Sequence, residues 1–255
     1  MSQVAFAPLY SNGHMVLMSE PTVLMIRPPA QTDAFLTAFR SATARTPHTL
    51  ASPVLRIAPL AGPPLPKDGT LLLFTSVNGV AAWAAGSDLR DIPALCVGEN
   101  TAQAAQALGF VAHSADGTGA DLLKLALGHA TPADRIYYIS GEEAALDLAA
   151  ALSAQGFQAQ RLVLYAQRQV DLTGAARAAL AQDSTIVPVF SPKTAACFQA
   201  QIADLALCDC RILCISAAAA APFAGLKQPG LAPTVIADAP TRAAMITALD
   251  RMLGS

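Results

Sequence analysis

Long apolar runs, a basic face and a cysteine framework are all missing from this 255-residue sequence. Its longest apolar stretches, such as 215–223, fall far short of the roughly 20 residues a helix needs to span a bilayer. The chain therefore reads as soluble. Charged residues make up only 13%, and the net charge is −2. So few cations build neither a nucleic-acid surface nor a polybasic membrane patch. An anionic ligand must be held by a few placed arginines and lysines and by backbone N–H groups.

The five cysteines, Cys96, Cys197, Cys208, Cys210 and Cys214, are odd in number and irregularly spaced, which argues against a disulfide scaffold. Cys208 and Cys210 flank Asp209, but no CxxC pair or nearby histidine completes a metal set. His14, His48, His113 and His129 are scattered. Such thiols suit a reducing cytoplasm. No GxGxxG follows the first strand and no GxxxxGK[ST] is present, so dinucleotide and P-loop binding lack support. There is no GxSxG elbow, and Ser76 and Ser191 have no evident histidine partner. Gly117 and Gly119 read as a turn, and Glu142-Glu143 as first-turn helix charge. Residues 1–20 show no strand or helix period and no signal-peptide pattern. With Met15 and Met18 as possible starts, they are set aside as an extension expected to be disordered.

What is present is an alternation of short apolar runs and helical segments, the pattern of βαβ units. Strands are expected at 23–26, 49–54, 71–75, 94–97, 110–113, 135–139, 160–165, 185–190, 211–215 and 234–237. Helices are expected at 33–41, 101–108, 119–127, 143–155, 172–182, 217–226 and 241–253. Two strands also repeat: the run ending at Ser76 matches that ending at Ser191, and Val97 matches Ile215, at offsets of 115 and 118 residues.

Two strands before the Pro/Gly-rich stretch 59–69 are too few for a stable sheet. Pairing them with the last three gives two doubly wound, parallel, five-stranded α/β domains of flavodoxin-like type, one inserted in the other. The outer domain takes residues 21–55 plus 171–255 and the inserted one 56–170, with a two-stranded linker near 55–58 and 166–171. Ligands of open parallel sheets bind outside the carboxyl ends of the strands, so the cleft between the domains is the expected site. Several strand ends carry a small hydroxyl or glycine before a helix: Thr75-Ser76, Gly98 with Thr101, Ser140-Gly141 and Ser191-Pro192. Such residues cap helices and leave first-turn N–H groups free for an anion. Several together suit a polyanionic ligand.

These residues resemble the uroporphyrinogen-III synthase family over about residues 21–253. The landmarks are Ile26-Arg27-Pro28, Phe74-Thr75-Ser76-Val77-Asn78-Gly79-Val80, Val97-Gly98-Glu99-Asn100-Thr101-Ala102, Gly156 ahead of a strand ending at Tyr165, and Phe190-Ser191-Pro192. The resemblance implies cyclisation of linear hydroxymethylbilane to uroporphyrinogen III, with loss of water and inversion of ring D. It implies no metal or organic cofactor and a small-molecule partner, the linear tetrapyrrole with its eight carboxylates. The chain is expected to be a monomer with no nucleic-acid or membrane partner.

Tyr165 matches the family tyrosine proposed as proton donor. A tyrosine hydroxyl in water titrates at about 10 and so keeps its proton at neutral pH. Thr75, Ser76, Asn78, Gly98, Thr101, Ser140, Gly141, Ser191 and Ser216 are the expected substrate contacts, with Arg27, Arg168 and Lys193 as charged helpers. One departure stands out: where the family has a glycine followed by threonines, this chain has Ser216 followed by alanines 217–221. The grip is therefore expected to be weaker there. The rival reading is a non-catalytic two-domain binding or regulatory protein of the same fold. A periplasmic solute-binding protein should carry a signal peptide, and a nucleotide-dependent enzyme a phosphate loop.

Overall fold

The computed structural model describes residues 10–11, 14–15, 20–61 and 64–254. Most of the 1–20 extension lies outside the described residues. Its described fragments, β1 (Tyr10–Ser11) and β2 (His14–Met15), form a two-residue antiparallel pair where no strand was expected. The chain divides into two compact units: Met1–Arg56 with Gln169–Ser255, and Ile57–Arg168.

The inner unit is built on a continuously apolar strand, β6 (Leu71–Phe74), buried along its whole length as a parallel strand covered on both faces must be. Its neighbours are β7 (Ala94–Cys96), β8 (Ala112–Ser114), β9 (Arg135–Gly141) and β10 (Gln158–Gln169), with β5 (Leu55–Pro59) at the edge. The order is β5-β10-β9-β6-β7-β8. Strand alternation feeds two helical layers. Leu72 and Phe74 pack with Val80 and Trp83 of α2 (Val77–Gly86) and with α3 (Glu99–Ala107). Leu71 and Leu73 pack with α4 (Gly119–His129) and α5 (Leu148–Ser153).

The outer unit repeats the three-layer plan. Its sheet runs β13-β12-β11-β3-β4, from β3 (Thr22–Met25), β4 (Thr49–Ala51), β11 (Ser184–Val189), β12 (Asp209–Cys214) and β13 (Val235–Ile236). Leu24 and Ile26 face a core with α6 (Gly174–Gln182) and α7 (Pro192–Ile202). Val23 and Met25 face one with α1 (Pro29–Thr43) and α9 (Arg242–Leu253). Among the described residues, no helix is long and apolar enough to cross a membrane.

The two sheet orders explain the sequence repeat. Counted along the chain, the inner strands β6 to β10 lie in the order 3-2-1-4-5, and the outer ones in the flavodoxin-like order 2-1-3-4-5. Counting β11–β13 ahead of β3 and β4 turns the outer order into 3-2-1-4-5. Each unit is thus a circular permutation of the other, and β6 corresponds to β11, β7 to β12, β8 to β13, β9 to β3 and β10 to β4.

Several expectations need correction. The inner sheet has six strands, because the segments read as linkers are themselves strands: β5 covers 55–59, and β10 runs on through Gln169. The helix expected at 143–155 begins only at Leu148, where Asp147 Oδ1 accepts the N–H of Ala150 (3.1 Å) and sets the N-cap. The helix expected at 217–226 is α8 (Ala217–Ala220) followed by a 3-10 turn, Ala221–Phe223. Pro222 offers no N–H to continue it.

Candidate functional site

The strand ends share one geometry. Ser76 caps α2 at φ −159°, ψ 155°, and Ser191, its counterpart in the repeat, caps α7 at φ −157°, ψ 151°. Gly98 opens α3 at φ −157°, ψ 166°, and Ser216 opens α8 at φ −159°, ψ 165°. All four lie in the extended region that turns a strand into a helix. Ser191 Oγ accepts from Thr194 N–H (3.2 Å) and donates to Thr194 Oγ1 (2.8 Å), while Ser216 Oγ accepts from Ala219 N–H (3.3 Å). Ser216 therefore still caps, but its helix is a single four-residue turn.

In the inner unit the candidate residues converge. Tyr165, 7% exposed, lies 2.9 Å through its Oη from Ser76 Oγ. Ser76 Oγ already accepts the N–H groups of Asn78 (3.2 Å) and Gly79 (3.3 Å). A hydroxyl has two acceptor sites and one proton, so Ser76 has only its proton left, and donates it to Tyr165 Oη. The tyrosine's own O–H is then left for another acceptor. Gly141 lies under the ring: a Cβ there would meet Tyr165 Cε2 at 2.8 Å. Asn78, Leu164 and Tyr165 line a cavity of about 470 Å³ with Leu60, Leu65 and Ala81.

Leu164 and Tyr165 are consecutive on β10 yet line the same cavity, which plain strand alternation forbids. The ladder with β9 supplies the reason. Val163 pairs with Ser140 and Tyr165 with Gly141, so Leu164 is an extra residue on β10. A bulge of this kind re-aims the side chain that follows it. Here it turns the phenol to the side of Ser76.

The other expected contacts are placed differently. Thr75 lies between the end of β6 and the cap residue Ser76, and Thr101 is buried in the first turn of α3. Ser140 is 1% exposed and its Oγ accepts Arg161 Nε (2.8 Å). Ser140 and Gly141 do not open a helix, because the loop 142–146 intervenes. Glu142 is not helix charge either: it grips Arg168 with both oxygens (2.6 and 2.9 Å). That hydrogen-bonded contact, with the Coulombic attraction beside it, holds the Arg168 pKa above its usual value.

In the outer unit, Arg27 stands at the end of β3 with its guanidinium 4.0 Å over the Phe190 ring, and Phe190 meets Phe35 edge-on at 4.9 Å. Arg27 Nη2 donates to Gln31 Oε1 (2.9 Å), and its buried Nε has no partner among the described residues. Burial, and then the charge of Arg242, lower its pKa to about 10, which leaves it cationic at neutral pH. Lys193 lies half-buried in the first turn of α7. A larger groove of about 910 Å³, lined within 217–236, holds none of the expected residues.

Arg161 and the Glu142–Arg168 pair escaped the sequence reading. The one available signal was a charged residue, Arg161, directly ahead of the apolar run 162–164 that leads to Tyr165.

The family model described as uroporphyrinogen-III synthase HemD matches residues 39–247. A search of curated protein sequences finds no significant match. Among solved structures, the fold is similar to the uroporphyrinogen-III synthetase of Helicobacter pylori. The TM-score is 0.59 at 19% identity, covering 91% of this chain and 99% of that one. A mutant uroporphyrinogen III synthase of Thermus thermophilus aligns at TM-score 0.47 and 17% identity, covering 92% and 99%. The match over 39–247 takes in every expected contact except Arg27, along with both halves of the repeat that carries them, and the chain belongs to the uroporphyrinogen-III synthase family.

Proposed function

We propose that the chain performs its family's reaction, closing hydroxymethylbilane to uroporphyrinogen III with inversion of ring D and loss of water, and that Tyr165 supplies the proton. The observation that carries this is the 2.9 Å contact between Tyr165 Oη and Ser76 Oγ, with Ser76 itself anchored on the first N–H groups of α2. A hydroxyl leaves poorly as hydroxide and well as water. The phenol proton passes to the leaving oxygen, so water departs and the phenolate forms. Ser76 then donates to a full negative charge, a stronger bond than the one it makes to the neutral phenol, and the positive end of α2 lies behind it.

The linear substrate closes without help to the unrearranged isomer, so the second task is orientation. The helix N-termini at Ser76, Gly98, Ser191 and Ser216, with Arg27 and Lys193, are the groups we assign to its carboxylates. A net charge of −2 offers no field for nucleic acid or an anionic membrane. Our reading places this activity in a cytoplasmic monomer acting on a small molecule alone.

The test is incubation with hydroxymethylbilane and separation of the product isomers. The wild-type chain is expected to yield uroporphyrinogen III, and Tyr165→Phe to lose about 100-fold in kcat with an unchanged far-UV spectrum. Only the unrearranged isomer from the wild type would sink the enzyme reading. Full turnover by Tyr165→Phe would remove the tyrosine from it.

A further inference from the structure

Arg161 stands on β10 four residues before Tyr165, and its donors are directed at the end of β9. Nε donates to Ser140 Oγ (2.8 Å), and Nη2 donates to the backbone carbonyls of Gly141 (2.9 Å) and Glu142 (3.0 Å). Nη1 lies 3.7 Å from the carboxylate of Asp147, the N-cap of α5. One planar fork thus ties together three successive residues of β9 and its exit loop.

Those three residues frame the tyrosine. Val163, opposite Ser140, is the last regular pair before the bulge, and Gly141 is the first residue paired after it. Gly141 also forms the floor under the Tyr165 ring, and Glu142 N–H donates to the Tyr165 carbonyl (3.0 Å). A bulge interrupts the ladder and leaves backbone groups without a strand partner. The guanidinium supplies donors to the carbonyls at that interruption, with five N–H groups in a fixed geometry that lysine lacks.

We infer that Arg161 is the positioning residue of Tyr165: by tying Ser140, Gly141 and Glu142 to β10 it holds the bulged register that aims the phenol at Ser76. The inference rests on Tyr165 as the proton donor for its effect on turnover, but not for its effect on the ladder. Remove the fork and β10 is free to relax toward regular pairing, which would return the phenol to the opposite face of the sheet.

Arg161→Gln and Arg161→Lys, each alone and combined with Tyr165→Phe, test this. Each single variant is expected to lose about 10-fold in kcat with KM changed less than about 3-fold, because substrate contacts stay while the donor is misaimed. Beside Tyr165→Phe, Arg161→Gln should cost nothing further, since a residue acting only through the phenol has nothing left to act on. Backbone amide exchange at Glu142 should quicken about 10-fold in Arg161→Gln while exchange at Leu72 and Leu73 of β6 stays as in the wild type. Two results overturn the inference: kcat losses that multiply in the double variant, or unchanged Glu142 exchange. Full turnover by Tyr165→Phe alone would end the proton-donor reading, and the Glu142 measurement would still decide whether Arg161 sets the register.

Discussion

At corresponding strand ends the two units keep the same cap and change what stands beside it. After β6 and β11 there is a serine at nearly identical backbone angles, Ser76 and Ser191. In the inner unit the end of β9 is a bare glycine, Gly141, and the neighbouring strand lays the neutral ring of Tyr165 over it. In the outer unit the matching strand, β3, is followed two residues later by Arg27, a cation stacked on Phe190. One repeat thus carries a hydroxyl pair suited to moving a proton, and the other a half-buried positive charge. In the proposed reading these are separate tasks: the leaving oxygen needs a donor, and the carboxylates need charge.

The sharpest way to break this comparison is to fill the floor under the tyrosine. Gly141→Ala places a Cβ 2.8 Å from Tyr165 Cε2, closer than packing permits, so the ring or the strand has to move. A displacement of about 1 Å in a catalytic group costs up to about 100-fold, and overpacking of this kind costs about 1–3 kcal/mol of stability. We expect a kcat loss of about 10- to 100-fold with KM little changed, read in the product-isomer assay, together with a lower thermal midpoint. Turnover at the wild-type rate would mean that the position of the ring is irrelevant to the reaction.

A second pair of variants separates capping from chemistry. Ser76→Ala and Ser191→Ala each remove a side chain that accepts first-turn N–H groups, and each should cost about 1 kcal/mol by chemical denaturation. Only Ser76 also donates to Tyr165 Oη. Its loss should lower kcat about 10-fold, the scale of one hydrogen bond to a charged group. Ser191→Ala should instead act mainly on KM. Equal kcat losses would show that the hydroxyl pair is no more than a cap.

Much of this plan is legible in the sequence because it is local. A serine two residues before Asn78 and three before Gly79, just after the run Leu71–Phe74, signals a capped helix after a buried strand, whatever surrounds it. The features that escaped depend on pairing across the sheet. Whether Leu164 is an extra residue is decided by what β9 places opposite it, and Arg161 has meaning only once Ser140, Gly141 and Glu142 lie within its reach. Glu142 reads as helix charge until Asp147 is seen to start the helix five residues later and Arg168 to take up its carboxylate. The edge strand β5 was hidden for another reason: its polar and proline residues, Arg56 and Pro59, are what a sheet edge tolerates and a sequence pattern reads as linker.

The smallest expected effect bears on the second pair of strand ends, Gly98 and Ser216, where the resemblance pointed to a weaker grip. Both residues have the same extended φ and ψ, so neither position needs glycine for its backbone. A Cβ at Gly98 would meet nothing within 4 Å. The exchange of glycine for serine is therefore a matter of one cap hydrogen bond on either side. Gly98→Ser should gain, and Ser216→Gly should lose, only a few tenths of a kcal/mol, the usual difference between these residues at an N-cap. For substrate the signs should reverse. Ser216 Oγ occupies the N–H of Ala219, whereas at Gly98 no side chain caps the first turn of α3. Gly98→Ser should thus raise KM about 2- to 3-fold, and Ser216→Gly should lower it or leave it unchanged, while kcat holds in both. If Gly98→Ser instead binds substrate as well as the wild type does, the strand end after β7 is a structural turn and the asymmetry between the units lies in Tyr165 and Arg27 alone.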